Sequence, residues 1–390
     1  MTLPFTPDRS CPLPPVRAQL GNEPAHFIVE EIPAYPLSDS GEHVFFWIEK
    51  CELNTLDVAK RLAQATGTRE RDIGYAGMKD KHAVTRQWFS VLYKADDAAG
   101  LDLGPGVIIL SVRRHNNKLR TGHLIGNRFI ITLVGADDED KARATAITQY
   151  IHKHGVANHY GGQRFGHRGK NLEVALVWLR EQAALKEQTT RATGQGDSAE
   201  TDDARGGRRR DRGRKKTSRF DNKLHPSVIQ SEFFNRYVSA RLSMPDELLL
   251  GEVVRLNNTG THFVVQDLAA ELPRKLGGDL ILTGSMPGPK TLQSQYAASD
   301  LEQAVWNDMG LAENLLQELY QHAPGARRDL KITPDELSLT IEQDQIVLTF
   351  ALPAGGYATQ LIREFNDVDW LNPRNTRAQP LLTAAHETPK

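Results

Sequence analysis

Val44, Phe46 and Ile48 alternate with Phe45 and Trp47, so both registers of a period-2 run are apolar. That pattern predicts a strand buried on both faces. Trp88 to Tyr93, Val107 to Val112 and Phe129 to Val134 are further apolar runs of strand length, and a sheet is therefore expected as the core of the first half. Between the first two runs Asn54 is a plausible N-cap, Asp57 falls in a first turn, Val58, Leu62 and Ala65 share a face, and Gly67 can close the helix. A second helix is expected from about Lys141 to His154, with Ile147 and Ile151 one turn apart and Gly155 as its cap. After Gly155 the periodicity turns helical. Leu172 to Leu185 repeats apolar residues at helical spacing, and Pro226 is read as the first residue of a helix carrying Val228, Ile229, Phe233 and Phe234. No internal repeat occurs at a fixed period.

The periodicity breaks down between about Thr189 and Asn222, where large apolar residues nearly vanish. Such a segment buries too little surface to offset the entropy of ordering, so a disordered surface loop is expected at about 189–222. Its acidic half, Asp197 to Asp203, precedes a basic half in which Arg205 to Arg219 holds nine Lys/Arg and one Asp. The formal net charge of −1 thus hides a local +8 on a body of −9. The loop reads equally as a tether for phosphate backbone or as a passive insertion whose charged halves attract each other.

A length of 390 residues exceeds what one core usually fills, and two domains are expected. No apolar run suits a signal segment or a membrane span, and a cytoplasmic protein without membrane association is expected. The only cysteines are Cys11 and Cys51, and neither HExxH nor CxxC occurs. Two reduced thiols and no structural metal follow.

The richest stretch runs from Ile73 to Val91, IGYAGMKDKHAVTRQWFSV. A short apolar strand reaches a turn at Gly77, and Asp80 follows among Lys79, Lys81 and His82, with a strand resuming near Trp88. A carboxylate with cationic neighbours suits a nucleophile or general base. An Asp at a turn is also a common structural device. Later, Gly161, Gly162 and Gly166 suggest a phosphate loop, but Arg164 stands where a Walker glycine would be needed and Asn171 replaces its Ser/Thr. Nucleotide hydrolysis is disfavoured.

Ala76-Gly77-Met78-Lys79-Asp80-Lys81-His82-Ala83-Val84-Thr85-Arg86-Gln87 resembles the signature of TruD-type pseudouridine synthases, an AG-x-KD core followed by Ala, Thr and Gln. Four more pieces resemble the family in its order: Phe27 in HFIVEEI, Gly126-Asn127-Arg128-Phe129, Asn158 to Gly166, and Leu352 to Thr359 with Arg363-Glu364. The chain departs from the family where His26 replaces an acid and His159-Tyr160 replaces Tyr-Phe. The family's basic residue shortly before the Phe is also missing, Gly21 and Asn22 standing there with Arg17 as the nearest candidate.

The resemblance implies an α+β fold: a pseudouridine-synthase catalytic domain with a mostly antiparallel mixed sheet, and an inserted α/β TRUD domain. The catalytic domain is expected over 1–154, with 366–390 returning to it, and the insertion over 155–365. By the same resemblance Asp80 is the catalytic residue. Phe129 stacks on the target uracil, Phe27 lines the pocket, Asn127 orients nearby groups, and Lys79, Gln163 and Arg164 reach substrate or its phosphates. Phe27 and Phe129 also suit ordinary core positions. The implied activity is isomerisation of a uridine to pseudouridine in tRNA, in bacterial members at position 13 of the D arm, by a monomer needing no cofactor or metal. Two rival readings stand beside it, a non-catalytic RNA chaperone and a nucleoside or glycoside hydrolase pairing Asp80 with Glu30 or Glu31.

Overall fold

The computed structural model describes residues 4–94, 98, 100–194 and 221–366. The described residues form two compact units, one built from those of Ser10–Val156 with 333–366, the other from those of Ala157–Ile332 with 4–9.

Seven long strands frame the first unit: β1 (Phe27–Pro33), β2 (His43–Lys50), β3 (Val84–Leu92), β4 (Val107–His115), β5 (Leu124–Val134), β6 (Asp335–Glu342) and β7 (Gln345–Pro353). They lie in the order β6-β7-β5-β1-β3-β2-β4, and two-residue strands at Gln19–Leu20 and Gly74–Tyr75 pair with β5 and β3. Only β1 and β3 run parallel along this path. The mixed, mostly antiparallel sheet with helices is the expected α+β architecture.

Helix α1 (Thr55–Thr66) forms as its sequence requires. The Asn54 N–H donates to Asp57 Oδ2 at 2.9 Å, and Gly67 closes the helix at φ 66°, a left-handed position that glycine adopts without penalty. Its Val58, Ala59, Leu62 and Ala63 pack on Phe46, Ile48, Phe89 and Val91 of the sheet. Each large side chain buried in this way contributes about 1.5–3 kcal/mol. The opposite face of the sheet carries charge at its centre, where Arg86 bridges Glu30 and Glu49, the second at 2.7 Å. Helix α2 (Asp138–His154) begins at Asp137, whose side chain accepts from the Asp140 N–H, and ends at Gly155 as expected.

In the second unit, strands His262–Val264, Val253–Leu256, Leu280–Met286 and Ala326–Asp329 make a four-stranded antiparallel sheet. Helices α3 (Lys170–Gly194) and α4 (Asp221–Leu242) pack with Tyr296–Asp308 and Glu313–His322 around Leu176, Ile229, Phe233, Phe234 and Trp306.

Several boundaries differ from those expected. The expected insertion end at 365 lies some thirty residues too late, because β6 and β7 complete the first unit's sheet, β7 pairing along β5 from Gln345↔Val134 to Pro353↔Gly126. At the start of the chain, Phe5 belongs to the second unit, its N–H donating to Glu232 Oε1 at 3.0 Å. Of the stretch 189–222 expected as a loop, residues 189–194 belong to α3 and 221–222 to α4; residues 195–220 lie outside those described. Pro226 lies inside α4, not at its first residue. Strand β3 starts at Val84, four residues before Trp88. The expected return of 366–390 reaches the described residues only at Asn366, which bridges Val16. No helix among the described residues is long and apolar enough to cross a membrane.

Candidate active site

The turn from Gly77 to Asp80 lies between Gly74–Tyr75 and β3, and the surrounding elements hold it residue by residue. Gln87 of β3 donates through Nε2 to the Gly77 carbonyl at 3.0 Å. Thr55, the first residue of α1, donates to Gln87 Oε1 at 2.9 Å and accepts the Lys79 N–H at 2.9 Å. Lys50, at the end of β2, donates through Nζ to the Asp80 carbonyl at 2.7 Å. Thr55, Gln87 and Lys50 are all buried, at 0%, 0% and 1% exposure. Buried polar groups persist where each finds a partner, so this bracket fixes the turn with little freedom.

The Asp80 side chain is exposed, and one of its oxygens, Oδ1, accepts the His82 N–H at 3.1 Å. This is the Asx bond that the residue type favours at a turn. It orients the carboxylate without burying it, so the structural role of Asp80 is compatible with a chemical one.

Lys79 points inward. Its Nζ bonds Asn127 Oδ1 of β5 and lies 3.5 Å from Glu31 Oε2 of β1. Glu31 Oε1 in turn accepts the Trp88 N–H at 3.2 Å. Burial pushes the Glu31 carboxyl above its ordinary range and the Lys79 ammonium below its own, each shift partly offset by the other's charge. Burial also drives the Lys50 ammonium down to about 8, with the Asp80 charge opposing the shift.

Sheet register brings the aromatic residues beside these groups. Glu31 faces Asn127 and Val29 faces Phe129 across β1 and β5, while Phe350 of β7 faces Phe129 from the other side. Because side chains alternate along a strand, Phe27 and Glu31 share one face of β1, and Asn127 and Phe129 share one face of β5. Phe129 is 8% exposed, stacks on Phe350 at 5.3 Å between centroids and meets the edge of the half-buried Phe27 at 6.4 Å. Gly126 allows β7 this close, since a Cβ there would lie 2.1 Å from the Leu352 carbonyl oxygen.

Asp80, Lys79, Asn127, Phe129 and Phe27 are thus linked through one face of the β1–β5 strand pair and one turn. Gln163 and Arg164 lie in the second unit, in the turn Gly162–Phe165. Gln163 is exposed; Arg164 Nε donates to Ser231 Oγ at 3.3 Å, and its guanidinium carbon stands 5.8 Å from the Tyr160 ring centroid. Arg17 does not serve this site. It pairs with Asp137 at 2.7 Å and Glu139 at 2.9 Å near the start of α2, where acidic side chains accumulate. No side chain fits at Gly21 either, because a Cβ there would lie 2.1 Å from the His26 ring.

Neither carboxylate suggested as a second acid is placed for it. Glu30 projects from the opposite face of β1 and pairs with Arg86 and Arg128. Glu31 is buried and engaged as described. Sequence reasoning missed Lys50, although a signal was present: Lys50 continues the inward register of Val44, Phe46 and Ile48, an unusual place for a lysine.

An aspartate turn locked onto a mixed sheet, with aromatic rings and an Asn on the adjoining strands, is an arrangement suited to chemistry on a planar base. The family model for TruD, tRNA pseudouridine synthase D, matches residues 11–215 and 217–365. The tRNA pseudouridine synthase D of Vibrio vulnificus (strain YJ016) is 34% identical over 359 residues, covering 90% of this chain and 93% of that protein. That of Thermus thermophilus is 34% identical over 379 residues, covering 95% and 96%. A crystal structure of a Methanosarcina mazei protein named for the same family superposes with a TM-score of 0.69 at 20% identity, covering 93% of this chain and 97% of that one, which supports the fold. The protein is a pseudouridine synthase, an isomerase. The chain belongs to the TruD family of tRNA pseudouridine synthases.

Proposed function

We propose that the protein converts the uridine at position 13 in the D arm of tRNA to pseudouridine, with the Asp80 carboxylate as nucleophile or base. The observation that carries this reading is the bracket on the turn: three buried side chains from β2, α1 and β3 hold the Asp80 carbonyl, the Lys79 N–H and the Gly77 carbonyl, while the Asp80 side chain is exposed. Preorganisation of this kind is what a reaction at one carbon of a flipped nucleotide requires.

The reaction breaks the N1–C1′ bond, turns the freed uracil and joins C5 to C1′, so atoms are conserved within the chain of RNA. Water must stay out while the base is detached. In this reading Phe129 stacks on the uracil, Phe27 walls the pocket, and Asn127 and Lys79 orient the groups around it. The stack on Phe350 supports this role for Phe129, because a ring already packed on one side has a fixed plane. Gln163 and Arg164 contact RNA phosphates, a role suited to an exposed amide and a guanidinium lightly held by a serine. Hydrolysis is less well supported, since a glycosidase needs a second carboxylate and both Glu30 and Glu31 are engaged in ion pairs.

The test is pseudouridine content at single-nucleotide resolution in unmodified tRNA incubated with purified wild-type protein and with Asp80→Ala. Formation at the D-arm uridine with wild type, abolished in the variant, is the expected result. Modification surviving in Asp80→Ala would remove the carboxylate from the mechanism, and modification at another nucleotide would overturn the assigned position.

A further inference from the structure

We propose that Lys50 is the positioning cation of this site, holding the Asp80 backbone by its hydrogen bond and placing a buried positive charge beside the Asp80 carboxylate. The inference rests on the reading of Asp80 as the catalytic group. Three observations lead to it.

Lys50 is 1% exposed at the inward end of β2, where a lysine is costly unless its charge is used. Its Nζ donates to the carbonyl of Asp80 itself, at 2.7 Å, and not to a remote acceptor. Lys79, the adjacent lysine, is committed elsewhere, to Asn127 and Glu31. A cation within reach of a carboxylate favours its charged form, whether that carboxylate acts as nucleophile or as base.

The arrangement has a pH consequence. Burial lowers the Lys50 ammonium to about 8, against the pull of Asp80, Cys51 and Asp57 and with a further push from Lys79. Below that pH Lys50 carries its proton, both donates and is charged, and the site is competent. Above it the charge is lost, and the rate falls on the alkaline side.

The experiment is single-turnover pseudouridine formation on unmodified tRNA from about pH 6 to 9, with wild type, Lys50→Met, Lys50→Arg, Cys51→Ser and Asp80→Ala. Lys50→Met removes the charge at similar volume but also takes the donor from the Asp80 carbonyl, so a lower melting temperature than wild type is expected; thermal melting measures that loss, and the pH profile, which a merely structural loss would not move, carries the test. The variant's rate at neutral pH should drop by on the order of tenfold or more, and its alkaline limb should disappear. Lys50→Arg, which keeps its proton throughout this range, should recover part of the rate with the limb moved to higher pH. Cys51→Ser should keep the wild-type limb, excluding the neighbouring thiol as the titrating group. A Lys50→Met protein with the wild-type rate and pH profile, beside an inactive Asp80→Ala, would overturn the role of Lys50 alone. An active Asp80→Ala would overturn the reading on which it rests.

Discussion

Glu31 and Lys79 set opposite charges 3.5 Å apart with side-chain exposures of only 1% and 5%. Removing one partner of such a pair leaves the other charge in the interior, a loss of about 3–5 kcal/mol. Glu31→Ala should therefore lower the free energy of unfolding by roughly that amount. Glu31→Leu combined with Lys79→Met should recover most of it while the enzyme stays slow, because Asn127 loses its Lys79 donor. Urea titrations of the three proteins check the first point and pseudouridine formation the second; a double variant as unstable as the single one would show that the pair itself does not set the cost. At this scale Asp80 was legible because it sits in a dense sequence signature, and Phe27, Asn127 and Phe129 because each stands in a short motif. Lys50 and Thr55 were not, since their meaning lies in hydrogen bonds across 30 and 24 residues with the turn they hold.

Elements bring these residues together through register, and Gly126 is the tightest point of that register. Its partner across β5 and β7 is Pro353, and a methyl group at 126 would collide with the Leu352 carbonyl, a backbone atom with no rotamer to yield. Gly126→Ala should push β7 away and cost on the order of 1–3 kcal/mol, the range for overpacking. It should also reduce the rate of modification more than its stability loss explains, since Asn127 and the Phe129–Phe350 stack lie on the displaced strands. Thermal melting and single-turnover rates decide it, and a melting temperature and rate equal to wild type would mean that the sheet absorbs the methyl group. The helices around this sheet were readable from caps and periodicity, as Asn54 and Gly67 show for α1. Strand neighbours were not readable. The parallel pairing of β1 with β3 and the docking of β7 on β5 join segments far apart in sequence, and alternation of apolar residues carries no information about which strand lies alongside.

For the whole molecule, the same lack of long-range information explains the misplaced boundary: nothing local in the stretch from Asp335 to Pro353 says that it completes a sheet begun about three hundred residues earlier. Charge, by contrast, was legible from the sequence alone. Of the two readings of the +8 segment from Arg205 to Arg219 on a body of net −9, the tether is the one that makes a salt-dependent prediction. Replacing residues 195–219 by a short Gly-Ser linker should leave unfolding unchanged, because the segment has no large apolar residue to bury. The chemical step on saturating tRNA should likewise be unchanged, since Asp80 and its bracket are built from Lys50, Thr55 and Gln87. Affinity should fall most at low salt, and the plot of log affinity against log salt should become shallower, by roughly 0.7–0.9 for each phosphate that is no longer neutralised. Equal slopes for the two proteins would make the segment a passive insertion and transfer the burden of RNA attraction to the folded surface, where Arg164 and Gln163 would be the first residues to vary.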